Sequence, residues 1–251
     1  MNESRDSASH AHPADGGVVA IVVAAGASSR MGGVDKIWAD LDGAPLIARA
    51  LRALASTHGV DTIVVVAPRD RHEALAALLD GAGVLVRCVE GGARRQDSVA
   101  AGITAAPEAA WYLVHDGARA LVTPELAARV LTAARAHGAA VPGVPVADTV
   151  KRVRTLDSAD GAEAVLGTVD RAPLRAIQTP QAFRGDILRR AHLEVTTDVT
   201  DDAAMVEHLD VAVVVVPGDV TNIKVTTPAD LEVARVLLAQ RDDRGGQGRE
   251  G

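Results

Sequence analysis

Aromatic residues are scarce in this chain of 251 residues: two Trp, one Tyr and one Phe. A core with so few rings must be built from Ala, Val, Leu and Ile, and a stacking platform for single-stranded nucleic acid is disfavoured. Cysteine occurs once, at Cys88, so neither an intrachain disulfide nor a CxxC metal site can form. A reduced, cytoplasmic setting fits, and Cys88, inside the apolar run 84–89, reads as a small buried hydrophobe. No apolar run approaches the ~20 residues of a membrane span. Residues 1–17 are polar, hold no signal-type apolar segment and read as a disordered leader; 241–251 read as a disordered tail. A membrane partner is therefore not expected.

Lysine is also scarce. Of 26 basic residues only Lys36, Lys151 and Lys224 are lysines, the rest being arginines. Where a chain that otherwise uses Arg keeps a Lys, a compact ammonium is a reason to look there. The net charge of −7 argues against a broad nucleic-acid surface but leaves room for a small cationic pocket.

What is present is an alternation. Buried strands are expected at 18–24, 62–67, 84–89, 111–114 and 139–144, with helices at 45–56, 71–80, 98–106 and 124–137 between them. Such βαβ units build a Rossmann-like, mostly parallel twisted sheet with helices on both faces and a ligand at the carboxyl ends of the strands. The pattern then changes. Two alternating runs, 147–154 and 165–171, predict a β-hairpin that projects as an arm over about 146–171. Its edges are open to a partner chain. Helices at 184–192 and 201–208, a strand at 211–216 and a helix at 228–239 complete a single domain over 18–240.

Two strand ends carry candidate chemistry. After the first strand, small residues from Ala24 to Ser29 precede Arg30 and Lys36. Backbone N–H groups there suit an anion, although the loop is neither GxGxxG nor GxxxxGK[ST] and also reads as a plain βα turn. After the fourth strand, Asp116 and Arg119 suit a polar ligand or form a local salt bridge. The eight histidines show no metal-ligand spacing and none neighbours a nucleophile, so a zinc enzyme or a Ser-His hydrolase is unsupported.

The motif Ala24-Ala25-Gly26-x-x-x-Arg30-Met31 resembles the signature of nucleotidyltransferases that activate sugar and polyol phosphates. Later segments narrow the resemblance: Gly91 to Ser98, His115 to Arg119, Asp148 to Lys151, Val169 to Arg171, Gln178 to Phe183 and Asn222 to Leu231. Together, over 18–238, they are similar to the 2-C-methyl-D-erythritol 4-phosphate cytidylyltransferase family. Ser28 and Asp35 depart from its usual glycine and proline. The loop alone also looks like the guanylyltransferases of the molybdenum cofactor; the later segments favour the cytidylyltransferases. A ribitol-5-phosphate cytidylyltransferase and a non-catalytic nucleotide-binding regulator are the alternatives.

The resemblance implies transfer of CMP from CTP to 2-C-methyl-D-erythritol 4-phosphate, with Mg²⁺ on the triphosphate. It makes Arg30 and Lys36 stabilisers of the transition state and sets Ala24, Ala25, Gly26, Gly92, Ser98, Gly117 and Ala118 along CTP. Asp116, Arg119, Thr149 and Thr179 would bind the polyol phosphate, and Arg171 and Lys224 would join Arg30 and Lys36 as catalytic residues, Lys224 positioning the substrate phosphate. Asp116 and Asp219 are possible metal contacts. Thr149 and Arg171 lie on the arm, so the implied enzyme is a homodimer whose arms complete each other's sites.

Overall fold

The apolar run at 18 becomes β1 (Val18–Val23), flanked by β2 (Val60–Val66) and β4 (Trp111–Asp116), both parallel to it. The computed structural model describes residues 17–26, 36–157 and 161–247. Beyond β2 lies β3 (Leu85–Val89). Beyond β4 come β9 (Gln181–Arg184), β5 (Ala139–Pro145) and β10 (Val214–Pro217), giving the order β3-β2-β1-β4-β9-β5-β10. The short β8 (Arg175–Ile177) also pairs with β5.

Alternate residues of β1 face two separate cores. Val18, Ala20 and Val22 pack with α1 (Leu46–Ala55), α2 (His72–Ala77) and α4 (Pro124–His137). Val19 and Ile21 pack with α3 (Arg95–Ala105), α5 (Gly185–Glu194) and α6 (Asp202–Glu207). A strand buried on both faces must be apolar at every position, which is why 18–23 reads as a continuous run. Scarce rings are spent centrally: Tyr112 and Phe183 are wholly buried and lie opposite each other across β4 and β9.

Strands β8 and β9 were not expected from the sequence. They are three and four residues long, too short for a periodic signal, and both run antiparallel to β5. The pairing with β5 slips between them at Gln178-Thr179-Pro180, a bulge that places Thr179 behind the end of β4. The late strand begins at Val214 rather than 211, because Val214 pairs with Ala140 and β5 itself begins only at Ala139.

The hairpin is present as β6 (Lys151–Thr155) and β7 (Glu163–Thr168), a separate two-stranded sheet in which every β6 side chain is exposed. Its strands are shorter than the expected runs. The closing helix α7 (Pro228–Gln247) corrects the expected tail: it continues seven residues past 240. Arg241 holds this extension, donating from Nη1 to Leu121 O (2.6 Å) and from Nη2 to Asp219 Oδ2 (3.2 Å). At the other end, the Gly17 carbonyl accepts from Ala110 N and Trp111 N. The remainder of the expected leader, and 248–251, lie outside the described residues.

Candidate active site

The chain moves from β1 outward to β3 and then returns to β4 on the other side of β1. The carboxyl ends of β1 and β4 therefore form a topological switch point, where a doubly wound sheet opens a crevice. A cleft of about 340 Å³ lies there. A larger concavity of about 1120 Å³, lined by Trp111, Gly138 and Arg184 among others, opens at the amino ends of β4 and β5. The carboxyl-end cleft is the one that gathers the chemistry.

Its first wall is the loop after β1. Ala24, Ala25 and Gly26 line it, and Ala24 N donates to Val66 O (2.8 Å), tying the loop to β2. Arg30, with Ser28 and Asp35, lies outside the described residues. Lys36 lines the cleft at the start of a 3₁₀ turn anchored by the buried Ile37.

The second wall is the turn into α3. A Cβ at Gly91 would stand 2.4 Å from Ala25 Cβ, so only glycine lets this turn approach the first loop. Gly92 and Ser98 line the cleft, with Ser98 Oγ accepting from Gly92 N (3.2 Å) and donating to Arg94 O (3.2 Å). Arg94 and Arg95 add two guanidinium groups to the lining.

The third wall is the end of β4. Asp116 and Ala118 line the cleft, as does Lys224 from the loop before α7. Gly117 N donates to Val23 O (2.9 Å), and a Cβ at Gly117 would lie 3.2 Å from that same oxygen, so the turn packs directly on β1. Lys224 is held between two anchors: the buried Asn222, whose Nδ2 donates to Thr179 O (2.8 Å), and Val225, whose N donates to Ala118 O (2.9 Å).

Asp116 is the centre of the charge arrangement. Lys224 Nζ stands 2.7 Å from its Oδ2, and Arg95 Nε donates to its Oδ1 at 3.1 Å. Burial alone would raise its carboxyl, but the Arg95 and Lys224 charges outweigh that and hold it far below the ordinary carboxylate range. Among the described residues Asp116 is the only carboxylate on the cleft lining, against Lys36, Arg94, Arg95 and Lys224. Arg119 adds a partly buried guanidinium that makes no ion pair among the described residues. Its Nη1 donates to Asn222 O (2.8 Å), its Nε has no partner among them, and burial lowers its pKa. The lining thus holds four cations and one carboxylate in a chain of net charge −7, with Asp97, Asp198 and Asp202 pairing Arg94 and Arg95 from off the lining.

His115, next to Asp116, is wholly buried. Thr179 Oγ1 accepts from Asp116 N (3.0 Å); His115 Nε2–H donates to the carbonyl Arg119 O (3.2 Å), so Nδ1 of the neutral ring accepts from Thr179 Oγ1 (3.0 Å). Burial pushes the imidazole down to about 4, so it is neutral and both nitrogens are engaged. Thr179 is thus a buried brace under the cleft rather than part of its lining.

Thr149 and Arg171 are exposed at the foot of the arm and do not line the cleft of their own chain. Asp219 is not on the lining either. Its Oδ1 accepts from Thr221 N and its Oδ2 pairs with Arg241. Among the described residues no cluster of three or more His, Cys, Asp or Glu is arranged for a metal. Arg95 was missed as a site residue although it lies inside the Gly91–Ser98 motif. Its role depends on Asp116 and Asp202, which are 21 and 107 residues away.

Residues 18–240 match the family described as IspD, 2-C-methyl-D-erythritol 4-phosphate cytidylyltransferase. A relative of that name from Nocardia farcinica is 46% identical over 229 residues, covering 90% of this chain and 96% of the relative. One from Streptomyces coelicolor is also 46% identical, covering 88% and 85%. Among solved structures, a 4-diphosphocytidyl-2C-methyl-D-erythritol synthase from Anaerococcus prevotii superposes with a TM-score of 0.76 at 28% identity, over 89% of this chain and 99% of that one. A 2-C-methyl-D-erythritol 4-phosphate cytidylyltransferase from Thermus thermophilus gives 0.69 at 33%, over 87% and 98%. A cationic cleft at the switch point of this sheet is where such enzymes would hold a nucleotide, and with these likenesses the chain belongs to the 2-C-methyl-D-erythritol 4-phosphate cytidylyltransferase family of nucleotidyltransferases.

Proposed function

We propose that the cleft transfers CMP from CTP to 2-C-methyl-D-erythritol 4-phosphate and releases pyrophosphate. The observation that carries this reading is a lining that holds Lys36, Arg94, Arg95 and Lys224 with one carboxylate, Asp116, beside the small-residue loop 24–26; Arg95 and Lys224 pair with that carboxylate, and Arg94 pairs with Asp97 and Asp198 off the lining. Two anionic substrates can be held together only where cations exceed carboxylates. The attacking group is a phosphate oxygen of the polyol phosphate, and the bond that breaks joins the α- and β-phosphates of CTP. A phosphate monoester is largely ionised at neutral pH, its second pKa being near 6, so no side chain has to take a proton. The buried, doubly bonded His115 agrees with that requirement: it is no base. The work of the site is alignment and stabilisation of charge on the α-phosphorus, and cations already fixed by ion pairs do this without reorganising.

Within this reading Lys36, with Arg30, stabilises the transition state. Loop 24–26, Gly92, Ser98, Gly117 and Ala118 run along the nucleotide. Asp116, Arg119 and Lys224 face the polyol phosphate, with Thr179 beneath them. A divalent cation, Mg²⁺ by its usual preference for phosphates plus one or two carboxylates, fits a cleft with Asp116 as its one acidic side chain among the described residues. When bound it would neutralise the triphosphate.

The arm supports a homodimer. Val153 and Val165 face each other across β6 and β7 and are 41% and 61% exposed, an apolar pair left open by the described residues of its own chain. Thr149 and Arg171, exposed and not on the lining of their own cleft, would enter the partner's. A cytoplasmic setting suits the single Cys88. The test is pyrophosphate release with each of the four nucleoside triphosphates, with methylerythritol phosphate and with ribitol 5-phosphate. Release with CTP and methylerythritol phosphate is expected; equal release with ribitol 5-phosphate, or none with either, would overturn the assignment.

A further inference from the structure

Behind the cleft the ion pairs do not end at Asp116. Arg95 Nη1 donates to Asp202 Oδ2 at 2.7 Å, and His192 Nε2 lies 3.1 Å from Asp202 Oδ1. Asp202 is wholly buried and the His192 side chain is 7% exposed, so both lie beneath the cleft and neither lines it. A fully buried carboxylate is tolerated only when paired, and each oxygen of Asp202 has one partner. We propose that Asp202 and His192 are positioning residues, which act through Arg95 and Asp116 to set where the Lys224 ammonium stands. This rests on the reading of the cleft as a nucleotidyl-transfer site.

The reasoning follows the guanidinium. Arg95 spans two carboxylates, Nε on Asp116 and Nη1 on Asp202. A planar fork held at both ends cannot rotate, so only Asp116 Oδ1 is taken by arginine and Oδ2 is left for Lys224. The far end is itself fixed. Gln181 on β9 donates from Nε2 to Asp201 Oδ2 (2.8 Å) and accepts at Oε1 from Ala203 N (3.2 Å), while Asp201 Oδ1 caps Ala204 N (3.0 Å). The first turn of α6 therefore cannot follow a moving Arg95. Charges alternate along the line from Lys224 through Asp116 and Arg95 to Asp202. Removal of the Asp202 charge leaves Arg95 with one carboxylate. It is then free to take both Asp116 oxygens and compete with Lys224 for Oδ2.

The expected signature of Asp202→Asn is a rise in KM for the polyol phosphate of about tenfold, the scale of one lost charge-assisted hydrogen bond, with a fall in kcat. KM for CTP should stay within about twofold. Arg95→Lys, whose shorter side chain ends in a freely rotating ammonium without the fixed fork that spans the two carboxylates, should reproduce the polyol-phosphate defect. The double variant should be no worse than the poorer single one, since both cut the same line. A purely structural role for Asp202 would instead multiply the two losses, which would overturn the proposal.

A second readout does not depend on turnover. The chain has three lysines, so a lysine-selective ¹³C spectrum holds three side-chain signals, and four in Arg95→Lys, assignable in each background with Lys36→Arg, Lys151→Arg and Lys224→Arg. The Lys224 signal should move in Asp202→Asn and in Arg95→Lys, and move no further in the double variant. If Asp202→Asn does not fold, Arg95→Lys and His192→Gln carry the measurement. An unmoved Lys224 signal in whichever of these variants fold overturns the proposal. If the wild type releases no pyrophosphate from CTP, the function reading fails while the spectra still decide the positioning claim.

Discussion

His115 separates two accounts of this cleft, one with a histidine base and one in which the substrate brings its own charge. The perturbation is pH, with His115→Gln as the control. In the fold the imidazole is wholly buried and pushed down to about 4, against an ordinary value near 6.5. A histidine whose pKa is depressed on folding stabilises the fold fully above about 6.5. That contribution drains away as pH falls from there towards 4, because the unfolded chain takes up the proton and the folded one does not. Full loss of the difference corresponds to about 3 kcal/mol, and at pH 5 about 2 kcal/mol is already gone. For a domain of this size that is a fall in Tm of roughly 4–8 °C between pH 8 and pH 5. Asp116 and Asp202 are held low by their cationic partners against burial, so their contribution is lost only below about pH 4 and does not enter this window. His115→Gln should be less stable at pH 8 by about 1–3 kcal/mol, from the disturbed bonds to Thr179 and Arg119. Between pH 8 and 5 it should be nearly flat. Urea unfolding at four pH values reads both curves. Turnover is the second assay: the acid limb near pH 6 should belong to the substrate phosphate and persist in the variant. Parallel stability curves, or an acid limb that disappears with His115, would refute the reasoning.

Other expectations follow from single contacts. Lys36→Ala should lower kcat by about 10²–10³ while KM for CTP changes little, as measured by steady-state pyrophosphate release; near-normal turnover would remove Lys36 from the transition state. Asp230, the third residue of α7, bonds back to the residues before the helix: its Oδ2 accepts from Thr226 N, Thr227 N and Thr226 Oγ1, and these bonds hold its carboxyl down at about 2. Asp230→Ala should cost about 1–2 kcal/mol at pH 7, and that difference should vanish as the pH falls through about 2, where the wild-type carboxyl is protonated. Arg171→Ala and Lys36→Ala subunits, each nearly inactive alone, should recover at most about half of wild-type turnover per heterodimer when mixed, because one site then carries neither lesion. No recovery, with subunit exchange confirmed by native mass spectrometry, would place Arg171 in its own subunit's site or in none.

What could be read from the sequence is what depends on neighbours along the chain. β1 announces itself because both of its faces are buried, so every position is apolar. α4 announces its limits through Pro124 at its first turn and Gly138 after its last. The cleft was legible for the same reason: each loop that lines it directly follows a strand, and the small residues at 24–26 and at Gly91 and Gly92 mark where backbones must approach. β8 and β9 stayed hidden because neither is long enough to show a period; Phe183 is buried by β4 and β5, which lie elsewhere in the chain. Asp202 stayed hidden for a related reason. Beside Asp201, at the start of a helix, it has the local pattern of capping chemistry, and Asp201 does cap Ala204. Nothing nearby in sequence distinguishes the acid that caps from the one that is buried against Arg95. Local rules find elements and strand-end loops, whereas a buried charge is defined by its partner. In this chain the partners of Arg95 come from β4 and α6, and only the closed sheet brings them together.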